Sequence, residues 1–325
     1  MKALVLETYN TDYQLKDIEK PAAGNGQVLV RIVASGVNPL DLKIKSGSAA
    51  HAQQSLPAVL GVDMSGVIET IGRGVTGFKP GDEVYGLVGG IGGLQGTLAE
   101  YIAVDARLIA LKPENISFRE AASLPLALIT AWEGLIDRAN IRPDQKVLIQ
   151  GGAGGVGHIA VQLAKAYGSD VYATVASNDA DLIYSYNATP IDYNTDVEND
   201  CRKFTGSEGF DVIFDTIGGK ILEQSFKMVK RYTGHVVSIL GWGEHNLAQL
   251  SFRGATYSGV FTLHPLISGK GRSHHGQILK KASVLIEMNK IRPRIAIQSY
   301  KLETIETAYR AMSANVSREK IVISI

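Results

Sequence analysis

Three glycines, Gly152, Gly154 and Gly157, stand in the spacing G-x-G-x-x-G. Glycine lets the main chain turn sharply and approach a bulky anion that a Cβ would hold away. Where such a loop opens a helix, the free N–H groups and the positive dipole end bind a diphosphate. The spacing alone fits a tight turn equally well, so its setting matters. The apolar run Val147–Gln150 precedes it and reads as a strand. Ile159, Ala160, Leu163, Ala164 and Tyr167 then share one helical face, and Gly168 can end the helix. Strand, glycine loop and helix in that order favour a dinucleotide cradle. An NAD-preferring site places an acid at the end of the second strand. Here that strand ends in Thr174, Val175, Ala176 and Ser177, none acidic. Asp179 and Asp181 lie further on and read as helix N-terminal acids. The missing acid permits NADP(H), although no Lys or Arg in "ASNDAD" completes a phosphate clamp. NADP(H) is the expected cofactor ahead of NAD.

The elements that must position this loop follow from the texture of the chain. Its 325 residues suggest two domains, and a hydrophobic content of 45% suffices for sizeable cores. The first hundred residues alternate short β-propensity runs with Gly, Pro and Asn, the pattern of an irregular β-rich domain. Ser117 and Glu120 have capping-box spacing before an apolar run. From Val147 to about Val260, strand and helix signals alternate, which implies a parallel sheet with helices on both faces. The remaining residues are mixed and include the strand-like "KIVISI". Thirty-three basic residues balance thirty-two acidic ones without a dense basic block, so neither nucleic acid nor an anionic membrane is an expected partner. A single cysteine, Cys201, excludes an internal disulfide and fits a reducing compartment. "MKALVLETYN" is too short for a signal peptide and "AASLPLALITAW" too short to span a bilayer. A cytoplasmic location is expected.

The order of parts, with "GVNPLDLKIKSG", "GVDMSGVIETIGRGVTGFKPGDEVYG", "LPLALITAWEGL", "GGAGGVG", "FDVIFDTIGG" and "VVSILGWG", resembles the medium-chain dehydrogenase/reductase superfamily, in its zinc-independent quinone oxidoreductase branch. The resemblance implies a GroES-like β-rich catalytic domain over residues 1–120 and 262–325. It implies an α/β Rossmann domain, a doubly wound parallel sheet, over residues 121–261. Zinc members carry a cysteine where this chain has Asn38, a histidine where it has Val62, and a further cysteine near Leu126. Asp63 keeps the acidic position, but one carboxylate cannot hold a metal that takes about three or four ligands. The adjacent His274 and His275 read as solvent-facing, so no metal site is expected.

The implied activity is hydride transfer from the nicotinamide to a quinone or an α,β-unsaturated carbonyl, acceptors whose carbonyl spreads developing charge. Reduction of 2-enoyl thioesters or aldehydes, and NADPH sensing with little turnover, are alternatives on the same scaffold. By resemblance, Asn38 lies on the active-site floor and bonds a substrate oxygen; an Asx turn before Pro39 is the plain alternative. Asp41 reads as a partner of backbone or of Lys43. Relatives often carry a tyrosine proton donor where this chain has Ala49, leaving nearby His51 as the candidate donor or a solvated loop histidine. Tyr85, Trp242, Tyr257 and His264 are further candidates for the pocket wall. Cofactor contacts are expected from Thr130, from the loop of Gly152, Gly154, Gly155, Val156 and Gly157, and from Thr174. Ser177 and Tyr193 fall on the 2′-phosphate side and Ile217 on the adenosine side. Leu240, Gly241, Trp242, Phe261, Thr262 and Leu263 match segments beside the nicotinamide amide. Lys320 reads as a phosphate contact or a solvated lysine. A homodimer is implied, with "LSFRGATYSGVFTL" pairing edge strands.

Overall fold

The computed structural model of the chain describes residues 1–314 and 319–325. It divides into two compact units. One comprises Met1–Leu126, Leu263–Asn289 and Pro293–Ile325; the other comprises Ala127–Thr262 and Lys290–Arg292.

The second unit is a six-stranded parallel sheet. Its strands lie in the spatial order Thr189–Asp192, Asp170–Val175, Lys146–Gln150, Val212–Asp215, His235–Ser238 and Thr256–Gly259. In chain order that is 3-2-1-4-5-6, so the topology reverses at Lys146–Gln150, whose Val147 pairs with Val171 on one side and Val212 on the other. A strand covered on both faces needs an unbroken apolar run, and Val147, Leu148 and Ile149 are all fully buried. The helix Gly157–Ala166 buries Ile159, Ala160, Leu163 and Ala164 and ends at Gly168, φ +83°. Across the sheet, Leu148, Ile213, Leu222, Phe226 and Val236 form one apolar core with Cys201. Burial pushes the Cys201 thiol up to about 12.

The first unit is built on a seven-stranded sheet and a smaller one of Lys2–Leu6, Gln14–Asp17 and Ala58–Val59. The long strand Gln27–Gly36 is central to the larger sheet. It pairs antiparallel with Asp63–Ile71, Tyr101–Asp105 and, from far down the chain, Val322–Ser324. The Ser117–Glu120 capping box forms, with Ser117 N donating to Glu120 Oε2 at 2.8 Å, and starts the helix Phe118–Ala122. That helix crosses so close to Gly36 that a Cβ there would lie 2.3 Å from the Ala122 carbonyl oxygen. Among the described residues no helix is long and apolar enough to cross a membrane.

One histidine and one tyrosine depart from expectation. His274 is exposed, but His275 is fully buried, because Arg272–Glu287 is a helix that sets His275, Ile278, Leu279 and Ala282 on one inward face. Tyr85 does not line a pocket. It is a core residue at 0% exposure, and its hydroxyl donates to the Leu279 carbonyl at 2.8 Å.

Candidate active site

In the first unit, sheet register assembles a buried polar cluster. Asp63 pairs with Gly36, and Val322 pairs with the same Gly36 from the other side. Val37 N donates to the Ile321 carbonyl at 3.0 Å, which draws Lys320 beside Asn38. Asn38 is the N-cap of the helix Pro39–Lys45, in extended conformation at φ −129°, with Pro39 at the first helical position. Its N–H donates to Asp41 Oδ2 at 2.8 Å, so Asp41 does bond backbone.

The Asn38 amide is fully engaged. Nδ2 donates to Asp63 Oδ2 at 2.9 Å and to the Gly36 carbonyl at 3.3 Å. Oδ1 accepts from Lys320 Nζ. An ammonium has donors only, so the oxygen must be the atom that faces Lys320, and the network fixes the amide's orientation. Lys320 Nζ also lies 3.6 Å from Asp63 Oδ2, with a side chain 13% exposed. The second Asp63 oxygen accepts from Leu126 N at 2.8 Å. Burial pushes the Asp63 carboxyl up, opposed chiefly by the Lys320 charge and the bond from Asn38. Asp41 is buried more simply: loss of hydration pushes it up to about 7, against the Asn38 N–H and the Lys320 charge. Behind it the Tyr13 and Tyr309 rings stack at 5.7 Å.

His51 sits on the short 3-10 turn Ala50–Ala52, where burial and then the Lys43 charge hold its pKa below the ordinary histidine value. Such a ring is largely neutral at neutral pH and is a poor source of protons.

In the second unit the glycine loop is built as a cradle with one closed and one open side. Gly151 takes φ +75°. A Cβ on Gly152 would lie 2.6 Å from the Ala173 Cβ, and one on Gly157 would lie 2.0 Å from the Gly151 carbonyl oxygen. Around Gly155 nothing lies within 4 Å of where a Cβ would be. Gly154 spends its N–H on the Gly151 carbonyl at 3.0 Å. Among the described residues, the N–H groups of Gly155 and Val156 have no main-chain acceptor and remain for an anion. Thr174 supports the turn from behind: its hydroxyl oxygen accepts from Gly151 N at 3.0 Å, and its O–H donates to Gln150 Oε1 at 2.8 Å.

Further along the carboxyl ends of the strands, the fully buried Asp215 joins two loops. It accepts from Ile217 N and Gly218 N, each at 3.1 Å, and from Ser238 Oγ at 2.7 Å. Ser238 Oγ in turn accepts from Leu240 N at 3.1 Å. This sets Gly218 so close to Leu240 that a Cβ there would lie 2.4 Å from the Leu240 carbonyl oxygen, and leaves Ile217 and Trp242 about half exposed. The Tyr257 hydroxyl lies where a Gly241 side chain would begin. Thr130 Oγ1 donates to Thr262 Oγ1 at 3.2 Å, and Thr262 donates to Glu133 Oε2 at 2.8 Å. Phe261 is exposed beside them. Leu263, in the first unit, is buried and starts the helix His264–Ser268.

Sequence reasoning missed Asp215 as the tie between the loops, although "FDTIGG" holds it. It also missed Asp192. Ser177 Oγ donates to Asp192 Oδ2, and Tyr193 N, next to it, donates to the Val175 carbonyl at 3.0 Å. The ends of two neighbouring strands therefore present a carboxylate where the second strand by itself offers none.

Two family models match: an alcohol dehydrogenase GroES-like domain over residues 24–114 and a zinc-binding dehydrogenase over residues 155–272. The NADPH-dependent alkenal/one oxidoreductase, chloroplastic, of Arabidopsis thaliana is 34% identical over 99% of this chain and 79% of its own length. The chain belongs to the medium-chain dehydrogenase/reductase superfamily, in its quinone oxidoreductase-like branch. An alcohol dehydrogenase superfamily protein from Novosphingobium aromaticivorans superposes with a TM-score of 0.98 at 49% identity, over 100% of this chain and 99% of that one. The quinone oxidoreductase from Coxiella burnetii does so at 0.84 and 28%, over 100% and 99%. This superfamily member is an oxidoreductase with a GroES-like unit and a nucleotide-binding parallel-sheet unit. Zinc does not fit its residues. Val62 is apolar and buried, the Asn38 amide is spent, and Asp63 already holds an ammonium. Among the described residues no group of three His, Cys, Asp or Glu could hold a metal ion. A dinucleotide does fit, because the cradle keeps its Gly155 side open.

Proposed function

We propose that this chain is an NADPH-dependent, zinc-independent reductase of α,β-unsaturated carbonyls or quinones. The observation that carries the reading is the glycine loop, whose Gly155 and Val156 N–H groups stay open at the mouth of the helix. The likeness to an NADPH-dependent alkenal/one oxidoreductase supports it. When bound, the reduced nicotinamide supplies a hydride. The residues of this chain bind the diphosphate, orient the ring through the loops tied by Asp215, and present a metal-free polar cluster to the acceptor. Thr130 and Thr262 fall within this cofactor assignment, and so do Leu240, Trp242 and Phe261. NADPH oxidation with a simple enone and a simple quinone tests the reading, and we expect turnover that a chelator leaves unchanged. Turnover of an enoyl thioester or aldehyde with every enone and quinone inert would replace it. Tight cofactor binding with no acceptor turned over would make the chain a sensor.

The Ser177–Asp192 contact favours a second reading, in which NADH is the donor and the carboxylate faces the ribose diol. Asp192→Asn separates the two. Removing an exposed negative charge is expected to tighten NADPH by about fivefold and leave NADH within a factor of about two. Titration of each cofactor by intrinsic fluorescence checks this. The edge strand Thr256–Gly259 supports a homodimer by strand pairing, which light scattering reads directly. We assign a reducing, cytoplasmic setting, consistent with the buried lone Cys201.

A further inference from the structure

The polar cluster of the first unit contains an electrophile that is not Asn38. Reduction of an enone needs a donor at the acceptor oxygen, because that atom gains the charge. Both N–H groups of Asn38 are committed, one to Asp63 and one to the Gly36 carbonyl. Asp41 and Asp63 are carboxyl groups at 1% and 0% exposure, which leaves an acceptor no approach to either. Lys320 is different. Its ammonium has three N–H donors: Asn38 Oδ1 takes one, and Asp63 Oδ2, at 3.6 Å, competes for a second, which leaves the third for an acceptor. Asn38 and Asp63 therefore hold this cation in place.

We infer that Lys320 is a catalytic residue, whose ammonium donates to the carbonyl oxygen of the acceptor and holds the enolate formed there. The inference rests on the reductase reading above. A bound reduced nicotinamide would supply the hydride, with its electron pair, for the new C–H bond at the β-carbon. The alkene π pair shifts to join the α-carbon and the carbonyl carbon, and the carbonyl pair moves onto oxygen. Water then protonates the α-carbon, and the C=O bond re-forms. Lys320 keeps its own proton throughout and stabilises the oxygen charge, the task that a metal performs in zinc members.

A stable oxyanion tests this without turnover. 4-Nitrophenol reports its ionisation by visible absorbance, and its phenolate stands in for the enolate oxygen. Binding is measured with and without NADP⁺ for the parent, Lys320→Met, Lys320→Arg and the double variant Asp63→Asn with Lys320→Met. The double variant guards against loss of the fold, since it leaves no unpaired carboxylate at position 63. The parent and Lys320→Arg are expected to bind phenolate. Both methionine variants are expected to bind it about 10-fold more weakly, and to lose about 100-fold in kcat with an enone. Their NADP⁺ affinity should stay unchanged. Equal phenolate binding by all four proteins overturns the inference, as does a parent that binds none. A fall in NADP⁺ affinity with phenolate binding intact also overturns it and makes Lys320 a cofactor phosphate ligand. Lysine-dependent phenolate binding in a protein that reduces no acceptor would instead overturn the reductase reading and leave the Lys320 contact standing.

Discussion

Replacing Gly157 by valine is expected to weaken NADPH binding by at least about 100-fold and to lower stability by about 1–3 kcal/mol. A Cβ at this position would lie 2.0 Å from the Gly151 carbonyl oxygen and 3.0 Å from the Gly152 Cα. Both are backbone atoms, so no side chain can swing aside, and the helix must move off the loop. The N–H groups of Gly155 and Val156 would then no longer converge. Gly155→Ala is the matching control, since nothing lies within 4 Å of its Cβ and its φ is not in the left-handed region. That methyl is expected to cost about 10-fold in NADPH affinity, because it projects where the diphosphate must approach, and to leave the melting temperature unchanged. Calorimetric titration with thermal melts separates the cases. An alanine variant that binds NADPH as tightly as the parent would place the diphosphate elsewhere.

Asp41→Asn is expected to stabilise the protein at pH 8 by up to about 4 kcal/mol, and to have little effect near pH 4. Asp41 is fully buried, and loss of hydration pushes it up to about 7 in the fold, whereas an unfolded chain ionises it near 4. Below the lower value both states hold the proton. As pH rises from about 4 to about 7 the unfolded chain releases it first, so the contribution to stability is lost across that window and stays lost above it. Asparagine cannot ionise, yet its Oδ1 still accepts from the Asn38 N–H that Asp41 Oδ2 takes at 2.8 Å. The groups facing Asp41 are Asn38, Lys320, Asp63 and the hydroxyl of Tyr309. Urea unfolding of parent and variant at pH 5 and pH 8 reads the difference. Parallel curves at both values would mean that Asp41 stays ionised in the fold.

Signals carried within a few residues were legible in the sequence. The G-x-G-x-x-G spacing between an apolar strand and an amphipathic helix specifies the loop, and Ser117 with Glu120 specifies a helix start, because both depend on local main-chain geometry. The α/β unit was legible for the same reason, through alternating periods. Lys320 was not. Its partners Asn38 and Asp63 lie far away in sequence, and only the pairing of Gly36 with both Asp63 and Val322 brings the three together. Asp192 was hidden because the end of the second strand carries no acid, and the carboxylate reaches Ser177 from the third. His275 was misread although the helical period of His275, Ile278, Leu279 and Ala282 was available. Tyr85 was misread because a core tyrosine with a bonded hydroxyl and a pocket tyrosine have the same one-letter signature.

The strand Val322–Ser324 completes the sheet begun by Gln27–Gly36. During synthesis, Ala127–Thr262 leaves the ribosome as one nearly continuous stretch and can close its parallel sheet early. The other unit must wait with an open edge beside Ala34–Gly36 until Val322–Ser324 emerges, and such an edge invites pairing with the wrong strand. Lys320 arrives just ahead of that strand, so the carboxylate of Asp63 gains its counter-charge only when this part of the chain has emerged. A nascent chain interrupted before this point would carry a finished nucleotide fold joined to a half-made, electrostatically unbalanced companion, a natural substrate for chaperones or proteases.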